Sequence, residues 1–288
     1  MESRNLLGDF LRARRELVQP EDVGLTVGPR RRVLGLRREE VAMLAGISAE
    51  YYLRLEQGRD KHPSEQVVEA LARALQLDHE GLTYALTLAR SRTGPTRPAA
   101  RPTERVPVGT RLLLESINVP AFVMNRYRDV VASNPLAVAL EPSLHVGANR
   151  ILSLFTDPQV RAYHPDWSQN TASVVAQLRA DIGADDDDPR FQSLVGELSM
   201  KSERFRQLWA RHDVKVNGSP SGLIDHPVVG ELTLLRQKFS IVGADRLTFV
   251  AYHAEPGSVS AERLAMLASL SAPSPIPDAT ERTRPGRE

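Results

Sequence analysis

Apolar residues recur at helical spacing through the first ninety positions, and the pattern then becomes mixed. Leu7, Phe10, Leu11 and Leu17 fit one face of a first helix. Val41, Leu44 and Ala45 mark a second, short one. Ile47 precedes Ser48, which is suited to cap a third helix running through Tyr51, Leu55 and Gln57, with Gly58 as its stop. Ser64 is placed to cap a fourth, with Val67, Val68, Leu71 and Leu75 inward. Asp78 opens a fifth through Leu82, Leu86 and Ala89. The spacing predicts an all-α, five-helix domain over residues 1–90.

Beyond it, residues 91–105 hold three prolines and four arginines with almost nothing apolar, the composition of an extended linker. Residues 106–270 read as a second domain. Pro120–Asn125 and Val130–Asn134 are short apolar runs split by Arg126–Asp129, a hairpin pattern. A helical middle follows, in which Asp188-Pro189 starts a helix carrying Phe191, Leu194, Val195 and Leu198. Leu232, Leu234 and Leu247–Tyr252 then read as strands with a turn at Gly243. Strands, helices, strands is an α+β order rather than a βαβ alternation. Residues 271–288 are expected to be a disordered tail.

Charge and composition narrow the function classes. The net charge of +1 hides a local asymmetry: residues 1–90 are balanced, but five arginines and no acid lie between Arg30 and Arg38. There is no cysteine, which removes disulfides and thiolate metal sites. No apolar run approaches the ~18 residues of a membrane span, and the N-terminus has no signal-peptide core. A soluble, cytoplasmic protein is expected.

The informative stretch is GLRREEVAMLAGISAEYYLRLEQGR, residues 35–59. Two short helices are joined by Ala45-Gly46-Ile47-Ser48, a tight turn for which Gly46 supplies positive φ. Ala42 is small where the helices approach, and Val41, Ala45, Ile47, Tyr52 and Leu55 can share one core. Ala49, Glu50, Tyr51 and Arg54 are left outward on the second helix, the arrangement that enters a major groove. The stretch resembles the Xre/Cro-type phage-repressor family of helix-turn-helix proteins. By that resemblance Ala49, Glu50 and Arg54 fall where bases are read, and Arg38 meets phosphate or a base edge. Tyr51 and Gln57 serve as phosphate or sugar contacts, and Arg37, Ser48 and Arg59 complete the expected DNA-binding set. One departure is the long insert Gln19–Leu36, whose Arg30, Arg31 and Arg32 are expected to touch phosphates or a minor groove. The plainer alternative is a solvated basic loop.

In the second domain PAFVMNRYRDVVASN (120–134), FRQLWARHDV (205–214) and HPVVGELTL (226–234) resemble the C-terminal domain of MmyB-like regulators. The resemblance implies a PAS-like antiparallel sheet with helices that binds a small, apolar or fatty-acid-like ligand. Such a cavity needs apolar walls and a few placed polar groups. Wall candidates are Phe122, Met124, Val131, Trp167, Phe205, Trp209 and Phe249; polar candidates are Asn134, Arg150, Arg179, His212 and Tyr252. Plain core packing competes for each aromatic. The rival reading of this domain is a protein-interaction module without a ligand.

Enzyme and metal readings fail at particular residues. Gly218–Gly222 looks like a nucleophile elbow, but Pro220 stands where the serine belongs. Asp185–Asp188 invites a calcium loop, but Phe191 sits where the sharp-turn glycine belongs. No enzyme activity, metal or cofactor is expected. The expected partners are double-stranded DNA with a pseudo-palindromic operator, a small apolar ligand and a second copy of the chain. Two recognition helices would then lie about one DNA turn, ~34 Å, apart.

Overall fold

Five helices order the N-terminal part of the computed structural model: α1 (Leu6–Leu17), α2 (Arg38–Ala45), α3 (Ala49–Glu56), α4 (Glu65–Ala74) and α5 (His79–Arg90). The structure describes residues 5–26, 31, 33, 35–60, 62–90, 105–182, 188–215, 221–244 and 246–271. Most of the expected linker, nearly all of the tail, Arg30, Arg32, Asp185–Asp187 and Gly218–Pro220 lie outside them. Phe10, Leu11, Leu36, Val41, Tyr52, Leu55, Leu71 and Leu75 form the buried centre of this part. Leu17 and Leu44, expected to face inward, are exposed. Both sit in the last turn of their helices, past the end of the core-facing stripe.

Two local devices fix α3. Gly46 ends α2 at φ 69°, a backbone that a Cβ would strain. Ser48 Oγ then accepts the Tyr51 amide at 3.1 Å and starts α3. At its far end α3 is held by α1. Asn5 caps α1 by accepting the Gly8 amide, and its Nδ2 donates to Glu56 O at 2.7 Å. A Cβ on Gly8 would lie 2.5 Å from that same carbonyl, so the helices touch backbone to backbone.

The C-terminal part begins with α6 (Val108–Ser116), followed by β1 (Ala121–Asn125) and β2 (Val130–Ser133). Six helices follow: α7 (Pro135–Leu140), α8 (Arg150–Thr156), α9 (Pro158–Ala162), α10 (Trp167–Ile182), α11 (Pro189–Lys201) and α12 (Glu203–Ala210). Then come β3 (Ser221–His226), β4 (Gly230–Ser240), β5 (Leu247–His253) and α13 (Val259–Ser271). The expected helix start is found at α11, where Asp188 accepts the Arg190 amide and Pro189 holds the first position.

The five strands form one antiparallel sheet in the order β2-β1-β5-β4-β3. This is the α+β, PAS-like arrangement expected. Period-two alternation sends Phe122, Met124, Leu232, Leu234, Val250 and Tyr252 to one face, where α7 and α13 cover part of it. Ala121, Val123, Leu247 and Phe249 go to the other face, under Leu114 of α6. A separate helical core of Val175, Leu178, Phe191, Leu194, Leu198 and Phe205 joins α10, α11 and α12. A space remains where this core stands off from the first sheet face.

Candidate nucleic-acid interface and ligand cavity

On α3 the inward positions are Tyr52, Leu55 and Glu56. The expected readers Ala49, Glu50 and Arg54 are exposed, as are Arg37, Arg38, Ser48, Gln57 and Arg59. Tyr51 is half-buried, and the Arg54 guanidinium lies 5.7 Å from its ring centre. Exposure on α3 and at the start of α2 is what contact with a groove and its phosphate walls requires.

Several of the arginines are already engaged. Arg38 Nε donates to Glu56 Oε2 at 2.6 Å, and Arg15 Nε donates to Glu56 Oε1 at 2.6 Å. Glu56 is a buried carboxylate that joins α1, α2 and α3. Burial would raise its pKa, but the two guanidiniums lower it below the ordinary value. Sequence reasoning missed this hub, although Glu56 falls on the Tyr52–Leu55 face of the helix. Arg31 turns inward as well: it makes a two-pronged pair with Glu40 at 2.6 and 2.7 Å and donates to Gly35 O. It therefore anchors the insert to α2 rather than extending as an arm. Arg31→Ala is expected to lower the unfolding midpoint of this domain and leave the salt slope of DNA binding unchanged; a slope that falls by about one would make Arg31 a phosphate contact.

The space between sheet and helices is a cavity of about 220 Å³. Its apolar side is Met124, Ile151, Leu154, Val174, Leu223, Ile224, Leu234 and Val250. Its charged and titratable lining is Arg128, Arg150, His164, Asp166, Lys215, Arg236 and Lys238. Arg236 and Lys238 continue the inward parity of Leu232 and Leu234 along β4, so one strand face changes from apolar to basic. Lys238 Nζ donates to Gln177 Oε1 at 2.6 Å. Desolvation, then the guanidiniums of Arg128 and Arg236, push its pKa down to about 7. Arg128 sits in the β1–β2 turn at φ 72° and pairs with Asp181.

A buried polar network reaches the cavity through Arg150, His164 and Tyr252. Arg150 Nη1 donates to the Tyr252 hydroxyl at 3.0 Å and sits 5.2 Å from the Phe122 ring centre. Its Nη2 is 3.8 Å from Glu141 Oε2, and His164 Nε2 is 3.3 Å from the same oxygen. Ser143 Oγ donates to the other oxygen of Glu141. Burial alone would raise the Glu141 pKa; the Arg150 charge, with His164 and Ser143, brings it down to about 2.

Of the expected ligand residues, Met124, Arg150 and Tyr252 line the cavity, and Phe122 packs behind Arg150. The others are placed elsewhere. Asn134 staples the start of α7 to β1 by accepting the Ala137 and Ala121 amides and donating to Val119 O. Trp167 donates to Leu154 O, and Phe205 and Trp209 stack 5.6 Å apart in the helical core. Arg179 covers the Trp209 ring at 3.9 Å and meets His212 Nδ1 at 3.1 Å. Val131 and Phe249 pack with the core on the opposite sheet face. Arg128, Lys215, Arg236, Lys238 and Gln177 were not expected.

Among the described residues no group of three or more His, Asp or Glu is placed to hold a metal ion, and no helix is long and apolar enough to cross a membrane. No curated protein matches the chain. Residues 6–83 match a family described as a helix-turn-helix domain. Residues 106–267 match the family described as the MmyB-like transcription regulator ligand binding domain. More than half of the chain falls within that second match, and the chain belongs to this family of DNA-binding transcription regulators with a ligand-binding domain.

Proposed function

We propose that the protein works in the cytoplasm as a homodimer that reads a pseudo-palindromic operator and responds to a small anionic amphiphile of the fatty-acid type. It performs no catalysis in this reading. The observation that carries the ligand class is the make-up of the cavity, whose lining joins apolar side chains to Arg128, Arg150, Arg236 and Lys238. Arg128 and Arg150 are paired with Asp181 and Glu141, but among the described residues the cavity lining itself holds five Arg and Lys side chains and one acid, Asp166. A purely apolar ligand would displace water from this basic excess without adding negative charge, which is costly. A carboxylate head resolves this, and the apolar wall takes the chain. A ligand-free interaction module has no use for such a cavity. Occupancy shifts the balance between two arrangements of the dimer only by as much as the ligand's affinity for the two differs.

Native mass spectrometry of protein purified without organic extraction tests the reading. A dimer with a co-purified small acid is the expected result. A protein that emerges empty and then fails to bind medium-chain carboxylates overturns it.

The DNA side rests on Ala49, Glu50 and Arg54 of α3, with Arg37, Arg38, Tyr51, Gln57 and Arg59 toward the backbone. Arg54→Ala is expected to cost roughly 1–3 kcal/mol and relax preference at one base position. Unchanged affinity and selectivity in a binding assay over operator variants would remove Arg54 from the reading set.

A further inference from the structure

Helix α10 is a wall between two spaces. Its Asn170, Val174 and Gln177 face the ligand cavity. Its Ala172 and Ala176 face a crevice of about 460 Å³ that separates it from the helix-turn-helix domain. Gln169 and Ser173 border both. Across the crevice stand Phe10 and Arg14 of α1 and the beginning of α5 at Leu77, Asp78 and Gly81.

The short segment Asp213–Lys215 after α12 runs along this seam. Asp213 Oδ1 accepts Arg14 Nη1 at 2.9 Å. Val214 packs against the apolar core of the N-terminal domain. Lys215 donates its amide to Ala176 O at 3.2 Å and lines both spaces. The segment is thus tied to α10 by backbone and to the DNA-binding domain by charge and apolar contact.

The docking is built to be reversible. Its ion pair is partly exposed, and Arg211 Nε holds the other oxygen of Asp213 at 3.0 Å, so the carboxylate keeps a counter-charge when Arg14 leaves. Small residues on α10 leave a crevice where larger ones would interlock the two domains.

We infer that α10 and Asp213–Lys215 form a clamp that holds the DNA-binding domain against the sensing domain, and that an anionic ligand in the cavity releases it. The second half rests on the proposed reading of the cavity. An anion among Arg128, Arg236 and Lys238 also attracts Lys215, two residues from Asp213. Drawing Lys215 into the cavity moves Asp213 away from Arg14. Linkage makes the coupling reciprocal: loosening the clamp from the Arg14 side tightens ligand binding.

The absence of cysteine makes this measurable in the full-length chain. Thr83→Cys on α5 and Ser193→Cys on α11, both exposed, carry spin labels on either side of the seam. The labelled protein is expected to give one narrow distance distribution. Arg14→Glu broadens it, and the swap of Arg14→Asp with Asp213→Arg restores it. Dodecanoate, with its binding followed separately by calorimetry, broadens the unsubstituted protein and binds several-fold tighter to Arg14→Glu. Dodecanoate that binds without changing the distances overturns the ligand-driven release and leaves the cavity reading intact. Dodecanoate that does not bind overturns the cavity reading, and with it the release. Identical distances in the unsubstituted, Arg14→Glu and swapped proteins overturn the clamp however the probe behaves.

Discussion

The Glu56→Ala variant loses about 3 kcal/mol of stability in its DNA-binding domain and binds operator only where that domain stays folded. The magnitude follows from leaving Arg15, whose side chain is only 8% exposed, without its counter-charge inside the helical core. Arg15 keeps the Leu36 carbonyl at 2.9 Å, which neutralises no charge, and the half-exposed Glu16 carboxylate at 3.6 Å, a longer and more solvated pair than the one lost. Arg38 is 45% exposed and recovers most of its loss by hydration. Against a typical domain stability of about 5–15 kcal/mol, this is a large fraction. Glu56→Gln, which still accepts hydrogen bonds, is expected to lose less. Urea unfolding of the three proteins checks the ordering. A loss below about 1 kcal/mol for the alanine variant would mean that the pair is solvated and that α1 holds α3 by apolar packing alone.

A second large effect is acid unfolding of the sensing domain. Glu141 has a folded pKa of about 2, below its ordinary value of 4.5. A carboxyl lowered on folding stabilises the native state above its unfolded pKa. That contribution disappears as pH falls through the folded value. The window therefore runs from about pH 4.5 down to about 2, and the contribution at neutral pH is about 3 kcal/mol. Glu141→Gln should flatten the stability profile across this window and lower stability at pH 7. A variant whose profile keeps the unsubstituted slope would assign the acid sensitivity to other carboxylates. The same substitution weakens ligand binding, because Glu141 and Tyr252 together orient Arg150.

How much of this was legible in sequence differs between the two domains. Helical periodicity, the Ser48 cap and the Gly46 turn are local signals, and they specify α2, α3 and their junction without help from distant residues. Glu56 was overlooked because a charged residue beside Gln57 reads as solvated; only its place on the Tyr52–Leu55 face hinted at burial. In the second domain the apolar strand runs and the Asp188-Pro189 start were readable. Strand β3 was not: Ser-Gly-Leu-Ile-Asp-His is an edge strand with one apolar pair, and its partner β4 supplies the order. The cavity was harder still. Aromatic residues drew attention as walls, yet Phe205 and Trp209 fill the helical core. The cations that line the cavity look like ordinary surface charge until β4 is given a face. The alternation Leu232, Leu234, Arg236, Lys238 held that information, but its meaning depends on which side of the sheet the helices cover.

The place of β1 beside β5 has a consequence for synthesis. These two strands pair from Ala121↔Ala251 to Asn125↔Leu247, roughly 120 residues apart in the chain. A central strand thus waits on the ribosome for the last of the strands to emerge, ~6–25 s later at ordinary elongation rates. The five N-terminal helices, whose fully buried core residues all lie between Leu7 and Ala89, have no such wait. A nascent regulator therefore has its DNA-reading surface ready before its sensor exists. Slow codons between β1 and β5 would prolong the interval in which the reader acts without ligand control.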